Sequence, residues 1–384
     1  MCKTKSLILF LLISISSISQ TIEDISFGTD VALEIVTWNI ENFPKNNQTT
    51  IDYVKRIIIA LDADVYAIQE VSDSNSFNQL INALPNYDGY ITSDKFRGLA
   101  FIYKKSTIQI NNAYEIYNST TFWSPFPRYP MVLDFNFKNE QFILINNHLK
   151  CCGDGILNTS NTSDEENRRL NAVRLLKEYI DAYLTSKNVI LTGDLNDILT
   201  DNSSNNVFQE FINDTQNYTF ADMSIATGNT TNWSYPSWPS HLDHILITNE
   251  LFDEFQQNTT VTTTIKLEEY VGGWNTYKSN ISDHRPVALK FIPSTTLKID
   301  EATQSNLQFA NYPNPFNKQT TFSFKGIEGE KWLIIYDAFG RKMVDIRFDE
   351  DTFTLNTENY PKGFYFSKLI TINRVIKTIK LIKQ

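Results

Sequence analysis

Between Leu33 and Ile292 the chain alternates two kinds of apolar pattern. Continuous runs such as LEIVTW (33–38), VYAIQ (65–69), LAFIY (99–103), MVLDFNF (131–137), FILIN (142–146), VILTG (189–193), HILIT (244–248) and VALKFI (287–292) predict strands. IDYVKRIIIALD (51–62) and SFNQLINAL (76–84) place their apolar residues at helical spacing. A longer helix is predicted after a capping box, Ser163 with Glu166, because Leu170, Val173, Leu176, Ile180 and Leu184 then share one stripe. A short helix is predicted near Phe208 to Ile212. Strand neighbours mixed with strand-helix-strand units imply a large α/β domain with mixed sheets.

Past Pro293 the pattern changes. Residues 293 to about 306 have the composition of a linker. TTFSF, WLIIYD, GRKMVDIRF, GFYFSKL and RVIKTIKLI then follow as short strands separated by turn residues, which predicts a small β-sandwich. The charge changes as well. Residues 21 to 298 carry 20 Lys and Arg against 34 Asp and Glu, a balance of −14, whereas residues 299 to 384 carry 12 against 10. An acidic main domain argues against gripping nucleic acid by a broad basic face, so any phosphate chemistry must rest on local arginines or bound cations.

The first twenty residues, MCKTKSLILFLLISISSISQ, combine early lysines, a short serine-diluted apolar run and small residues at a cleavage position, and read as a secretory signal. No later segment is long and apolar enough to span a bilayer as a helix. With the signal removed, the adjacent pair Cys151 and Cys152 remains. It makes no disulfide framework and no zinc site, neighbouring cysteines bond only in strained geometry, and the pair reads as a loop-fixing feature.

Several strand-like runs end in one polar side chain: Asn39 after VTW, Glu70 after AIQ, His148 after INN, Asp194 and Asn196 in ILTGDLND, Asp243 in HLDHIL, and Asp283 with His284 in SDH. Taken singly, each has a plain structural explanation, such as a turn cap, an ion pair or a satisfied core histidine. Buried polar groups are costly unless paired, however, and so many at the ends of buried runs suggest that they meet in one place. Three of the four histidines sit beside an Asp or Asn, which strengthens that expectation.

The order and types of these residues, with WNIENF, IQEV, GDLND and SDHRPV as they stand, resemble the endonuclease/exonuclease/phosphatase family over about residues 33 to 292. The resemblance implies a four-layer α/β sandwich, two packed mixed sheets flanked by helices, that hydrolyses phosphate esters with Mg2+, Mn2+ or Ca2+. Motif by motif it implies that Glu70 and Asn39, with Asp283 nearby, hold the metal. Asp194 and Asn196 position water and phosphate, and His284, oriented by Asp243, is the general acid/base. His148 contacts or protonates the other side of the phosphate, and Arg128 in FPRYPMVL is a further phosphate contact. Such chemistry needs hard oxygen ligands and a histidine of near-neutral pKa.

Two departures stand out. The acid that orients the histidine corresponding to His148 is replaced in FRGLAFIY by Arg97 and Gly98, and His241 and His244 bracket Asp243. His241 is a candidate substrate contact. Trp233, Tyr235 and Trp238 could stack on a base or touch a lipid headgroup, although aromatics in such a loop more often pin it. YPNPF, IYDAFGRKM and LNTENYPKGFYFSKL resemble the sorting domain of type IX-secreted proteins, which implies a partner in that secretion machinery and a secreted or cell-surface location. The expected organisation is a signal peptide (1–20), a catalytic domain (21–298) and an all-β sorting domain (299–384). The expected function is that of a monomeric secreted phosphodiesterase cutting DNA or RNA as an endonuclease. The alternatives are a sphingomyelinase-like phosphodiesterase, for which YVGGWNTY (270–277) is a candidate membrane loop, and a non-catalytic binding protein on the same fold.

Overall fold

The computed structural model describes residues 20–92, 98–293, 308–325, 330–371 and 374–384. The predicted signal segment apart from Gln20, most of the predicted linker, and Arg97 lie outside these residues. The chain divides into two compact units, Met1–Thr295 and Thr296–Gln384.

The first unit holds two six-stranded sheets. One is built from β1 (Leu33–Phe43), β2 (Val65–Val71), β3 (Tyr87–Ile91), β4 (Gly98–Lys104), β11 (Val261–Thr264) and β12 (Val287–Phe291), in the order β11-β12-β1-β2-β4-β3. The other is built from β5 (Ile108–Glu115), β6 (Met131–Phe137), β7 (Glu140–His148), β8 (Asn188–Asp194), β9 (Tyr218–Phe220) and β10 (Asp243–Thr248), in the order β5-β6-β7-β8-β10-β9. Both sheets are mixed: β1 with β2 and β7 with β8 are parallel, and the remaining pairs are antiparallel.

Alternate side chains explain why the strands read as unbroken apolar runs. In β1 and β2, Ile35, Val65 and Ala67 face the other sheet, where they meet Phe142, Leu144 and Ile190. Their neighbours Val36, Tyr66 and Ile68 face outward onto the helices α1 (Asn47–Leu61) and α2 (Ser74–Asn82), whose Val54, Ile57 and Phe77 cover them. In the second sheet Ile143, Ile145 and Leu191 are covered by Leu170, Val173, Leu176 and Ile180 of α3 (Glu165–Tyr183). Both faces of each sheet are therefore buried, giving four layers.

The start of α3 differs from expectation. Its cap is Asp164, whose side chain accepts from Asn167 N at 2.8 Å. Glu166 does not close a capping box with Ser163, because its carboxylate is buried and accepts from Gly155 N at 2.7 Å.

The second unit contains β13 (Gln308–Tyr312), β14 (Gln319–Lys325), β15 (Lys331–Asp337), β16 (Lys342–Phe348), β17 (Thr352–Asn356), β18 (Gly363–Thr371) and β19 (Arg374–Lys383). They form a three-stranded sheet, β13-β14-β17, and a four-stranded sheet, β16-β15-β18-β19, all antiparallel. Phe309, Phe322, Phe324, Leu333, Ile335 and Leu369 make its own core.

Candidate active site

Topology brings the predicted residues to one edge. Asn39, Glu70, His148 and Asp194 lie at the C-terminal ends of β1, β2, β7 and β8, while Asp243 begins β10 and His284 precedes β12. Because β10 runs antiparallel to β8 and β12 to β1, their starts fall at the same edge as the other strands' ends. The register is direct: Asp194 stands opposite His148 on one side and Asp243 on the other.

A buried amide pair below this edge fixes the two sheets against each other. Gln69 Nε2 donates to Asn146 Oδ1 at 2.8 Å, and Asn146 Nδ2 donates to the carbonyls of Ile68 and Ala100 at 2.9 and 3.0 Å. Neither residue was singled out in the sequence. IQE and INNH each carry an extra amide beside the obvious site residue, and that excess was the available signal.

The side chains converge on a cavity of about 600 Å³ lined by Asn39, Glu41, Glu70, His148, Asp194, Asn196, Asp283 and His284, among others. His284 Nδ1 lies 2.8 Å from Asp243 Oδ2, and its Nε2 lies 3.8 Å from Asp194 Oδ2. Its main chain is held by Ser282 Oγ, which accepts from His284 N at 2.9 Å, and by Tyr277 OH, which donates to His284 O at 2.5 Å. His148 Nε2 is 3.5 Å from Asp194 Oδ2 and 3.9 Å from Glu70 Oε1. His148 closes β7, which pairs with β8, and the next residue, Leu149, donates from its N to Asp194 O at 3.0 Å.

The electrostatics follow from burial. Desolvation, the largest influence on Asp194, raises its carboxyl to about 7 against the lowering effect of His284. Burial alone would lower the imidazole of His284, but the charges of Asp243 and Asp194 outweigh it and raise the ring to about 10. Glu41 is also raised, first by burial and also by its neighbour Asp283, with Lys45 opposing.

Glu70 and its support depend on backbone that sequence cannot show. Glu70 has φ 64°, and Glu41 and Asn42 have φ 35° and 52°. Non-glycine residues rarely adopt this region, and they persist where surroundings enforce it. The β1–β2 register shifts at this point, and Asn42 N turns to donate to Glu70 Oε2 at 3.0 Å. Glu41 was missed as a site residue although it stands inside WNIENF.

Asn39 acts here as a donor, its Nδ2 reaching Asp194 Oδ2 at 2.9 Å while its Oδ1 accepts from Glu41 N at 2.9 Å. The same Nδ2 lies 3.5 Å from Glu70 Oε1, so the amide stands between Asp194 and Glu70. Arg128 is buried ahead of β6, next to the buried Phe126, and does not line the cavity. Asn196, at φ 54°, does line it and donates from Nδ2 to Leu149 O at 3.3 Å. Asp197, grouped with Asp194 and Asn196 in GDLND, instead accepts from Arg169 Nε at 2.8 Å.

His241 and His244 are structural. Both meet the fully buried Asp222, His241 Nε2 at 3.0 Å and His244 Nδ1 at 2.6 Å, while Asp222 Oδ1 accepts from Ile245 N at 2.8 Å. Burial alone would raise the Asp222 carboxyl, and the two imidazoles instead hold it well below the usual range. His244, which burial would lower, is raised by Asp222. The contribution of Asp222 is present above its ordinary pKa and lost as pH falls through its folded value. That of His244 is present below about 6.5 and lost as pH rises, so the brace is strongest between roughly pH 4 and 6.5. Asp222→Ala is expected to cost about 3 to 5 kcal/mol, because it leaves buried partners unpaired. Urea unfolding at pH 6 checks this, and a loss under 1 kcal/mol would contradict it.

Residues 36–284 match the family model of the endonuclease/exonuclease/phosphatase family. The chain belongs to this family. Its members are phosphoester hydrolases. Residues 310–384 match the model of a secretion system C-terminal sorting domain, of the type IX kind, which marks a secreted or cell-surface protein. No curated protein matches the chain. Among solved structures, D. rerio TDP2 complexed with a single-strand DNA product is similar at 14% identity and a TM-score of 0.53, covering 68% of this chain and 99% of that one. A humanized D. rerio TDP2 gives 16% identity and a TM-score of 0.50, covering 68% and 98%. At these identities the likeness establishes the shared fold. No helix among the described residues is long and apolar enough to cross a membrane.

Proposed function

We propose that this family member is a secreted, divalent-metal-dependent phosphodiesterase that cuts extracellular DNA or RNA internally. The observation that carries the reading is the hydrogen-bonded His284–Asp243 pair facing Asp194 across a cavity that also holds Glu70 and Asp283. Asp194, raised to about 7, is matched to accept a proton from an attacking water near neutral pH. His284, kept protonated by its two carboxylate neighbours, donates to the phosphate, and Asp243 keeps its ring turned towards the cavity. Asn196 and His148 bind the phosphate from the other wall.

The donor set fits a hard cation. Glu41, Glu70, Asp194 and Asp283 share the cavity, and Arg169, the arginine in its lining, is already paired with Asp197 and Glu166. Glu70 and Asp283 would hold Mg2+, Mn2+ or Ca2+, which would neutralise charge building on the phosphate oxygens.

Two observations favour a nucleic acid over a lipid. Tyr235 packs its ring 4.8 Å from that of His284, and Trp238, on the cavity rim, is 79% exposed, so aromatic faces stand ready beside the phosphate site. Trp233 is the pin: its Nε1 donates to Ile225 O at 3.1 Å. Within YVGGWNTY, by contrast, Trp274 and Tyr277 pack inward on the α1 side, and Trp38 Nε1 donates to Tyr277 OH at 3.0 Å. That stretch offers no apolar hairpin to a membrane.

The full chain with Mg2+ should nick closed circular DNA or cut RNA internally. A covalently closed circle has no ends, so nicking separates endonuclease from exonuclease action. Cleavage of sphingomyelin with nucleic acids left intact would overturn the reading. A chain ending near residue 298 should hydrolyse substrate as fast as the full chain, since every proposed catalytic residue precedes Pro293. An inactive or insoluble truncation would show that the small domain supports the catalytic one.

A further inference from the structure

The vicinal cysteines are the motif that this reading leaves unused. They do not lie in a strand. Three residues after His148 the chain turns, with Cys152 at φ 72° and Gly153 at φ 109°. In an extended strand adjacent side chains point to opposite faces. Here the left-handed residue swings both to one side, and the two sulfurs stand 2.9 Å apart.

The turn is built into the site wall. Arg169, almost fully buried, donates through its NH1 group to the carbonyls of Lys150 and Cys152 at 2.7 and 2.8 Å, while its Nε holds Asp197. Lys150 Nζ donates to Cys151 O at 2.9 Å. Gly153 lies so close to Glu166 that a Cβ there would meet Oε1 at 2.2 Å, and a non-glycine residue is further disfavoured by the positive φ. Both cysteines line the cavity, two and three residues after Leu149, whose carbonyl accepts from Asn196 Nδ2.

We infer that Cys151 and Cys152 are a modification site: in the secreted protein they bond to each other, closing a small ring through the intervening peptide on the cavity rim. The ring stiffens the wall against which the non-phosphate part of the substrate rests. Secretion places the pair where disulfides form and persist. The oxidant is a dithiol–disulfide exchange partner. One cysteine thiolate attacks its disulfide to give a mixed disulfide, and the other cysteine displaces the partner, forming the Cys151–Cys152 bond. The oxidant leaves as a dithiol, having taken up two electrons and the two thiol protons. Adjacent Cα atoms are about 3.8 Å apart, closer than the usual 4.4–6.8 Å span of disulfides, so mild reductant should open the bond.

The test starts with the full chain collected from the culture medium, alkylated with iodoacetamide without reduction, and digested. The peptide holding both cysteines should be unalkylated and lighter than its dithiol form by two hydrogen atoms, and after dithiothreitol it should take up two alkyl groups. Alkylation of both thiols without reductant, or a disulfide-linked dimer, overturns the inference. The kinetic half rests on the nucleic-acid reading. Reduction should raise KM for an oligonucleotide roughly two- to tenfold, the effect of leaving one wall segment to be ordered on binding, with kcat little changed. The Cys151→Ser/Cys152→Ser double variant should show the raised KM with or without reductant. A parent whose KM ignores reductant, or a double variant that responds to it as the parent does, overturns the wall role. Should oligonucleotides not be cleaved at all, the peptide mass still decides the bond, and bis(p-nitrophenyl) phosphate serves for the KM comparison, so the two readings fail separately.

Discussion

Replacing His284 by alanine is expected to lower kcat by about 10²- to 10⁴-fold, the range for losing a positioned general acid/base, while the circular dichroism spectrum stays that of the parent. The residue sits in the connection between the helix Trp274–Asn280 and β12, outside both sheets, so its loss leaves the strands and helices in place although it unpairs the buried Asp243 and costs stability. His284→Gln is the stricter variant, since an amide can still donate to Asp243 but cannot titrate. Asp194→Asn should lose activity on the same scale. The pH profile separates the roles. Activity should rise as Asp194 loses its proton near 7 and fall as His284 loses its own towards 10. A bound cation moves the acid limb lower without reversing it. In His284→Gln the alkaline limb should vanish from what activity remains. Near-parental turnover in the glutamine variant would remove His284 from the mechanism.

The ends of buried strands were the legible part of the site. A carboxylate or imidazole after VYAIQ or ILTG breaks an apolar run at a place where hydrophobicity gives no reason for it, and β2, β7, β8 and β10 carry those breaks to one edge. Several strands were harder to see. β3, β5, β9 and β11 are short or lie at sheet edges with polar faces, and Val261 to Thr264, three threonines after a valine, has little apolar pattern to find. Whether a polar residue works or braces depends on its partner across the fold. His241 and His284 look alike in sequence, yet one meets Asp222 and the other Asp243. Glu166 was read as a local cap because the spacing allowed it, whereas Arg169 and Gly155 hold its carboxylate in the cavity wall. Arg128, placed by motif, is buried ahead of β6, a depth the motif does not show. The left-handed backbone at Glu41, Asn42, Glu70 and Cys152 has no marker in residues other than glycine.

Removing divalent cations is expected to abolish turnover, by roughly a thousandfold or more, since several kcal/mol of charge stabilisation is asked of the ion. The chain itself argues for this. A phosphodiester is an anion, and the cavity meant to hold it is lined by Glu41, Glu70, Asp194 and Asp283, while the arginine in its lining, Arg169, is shared between Asp197 and Glu166 and so offsets only one of those two charges. Burial first, and the like charge of Asp283 after it, push the Glu41 carboxyl upward even with Lys45 paired to it. Without a cation, phosphate would enter against net repulsion. Hard oxygen donors select Mg2+, Mn2+ or Ca2+ over softer ions. EDTA followed by excess Mg2+ should abolish and then restore cleavage, and full turnover in EDTA would sink the proposal. Binding has a readout free of catalysis. An ion held by the folded state alone raises the melting temperature with its concentration. Mg2+ should therefore stabilise the parent and His284→Ala alike, and should lose most of that effect in Glu70→Gln. If Glu70→Gln is stabilised as strongly as the parent, the carboxylate of Glu70 is not a ligand, and the ion must be sought on the Asp283 side of the cavity.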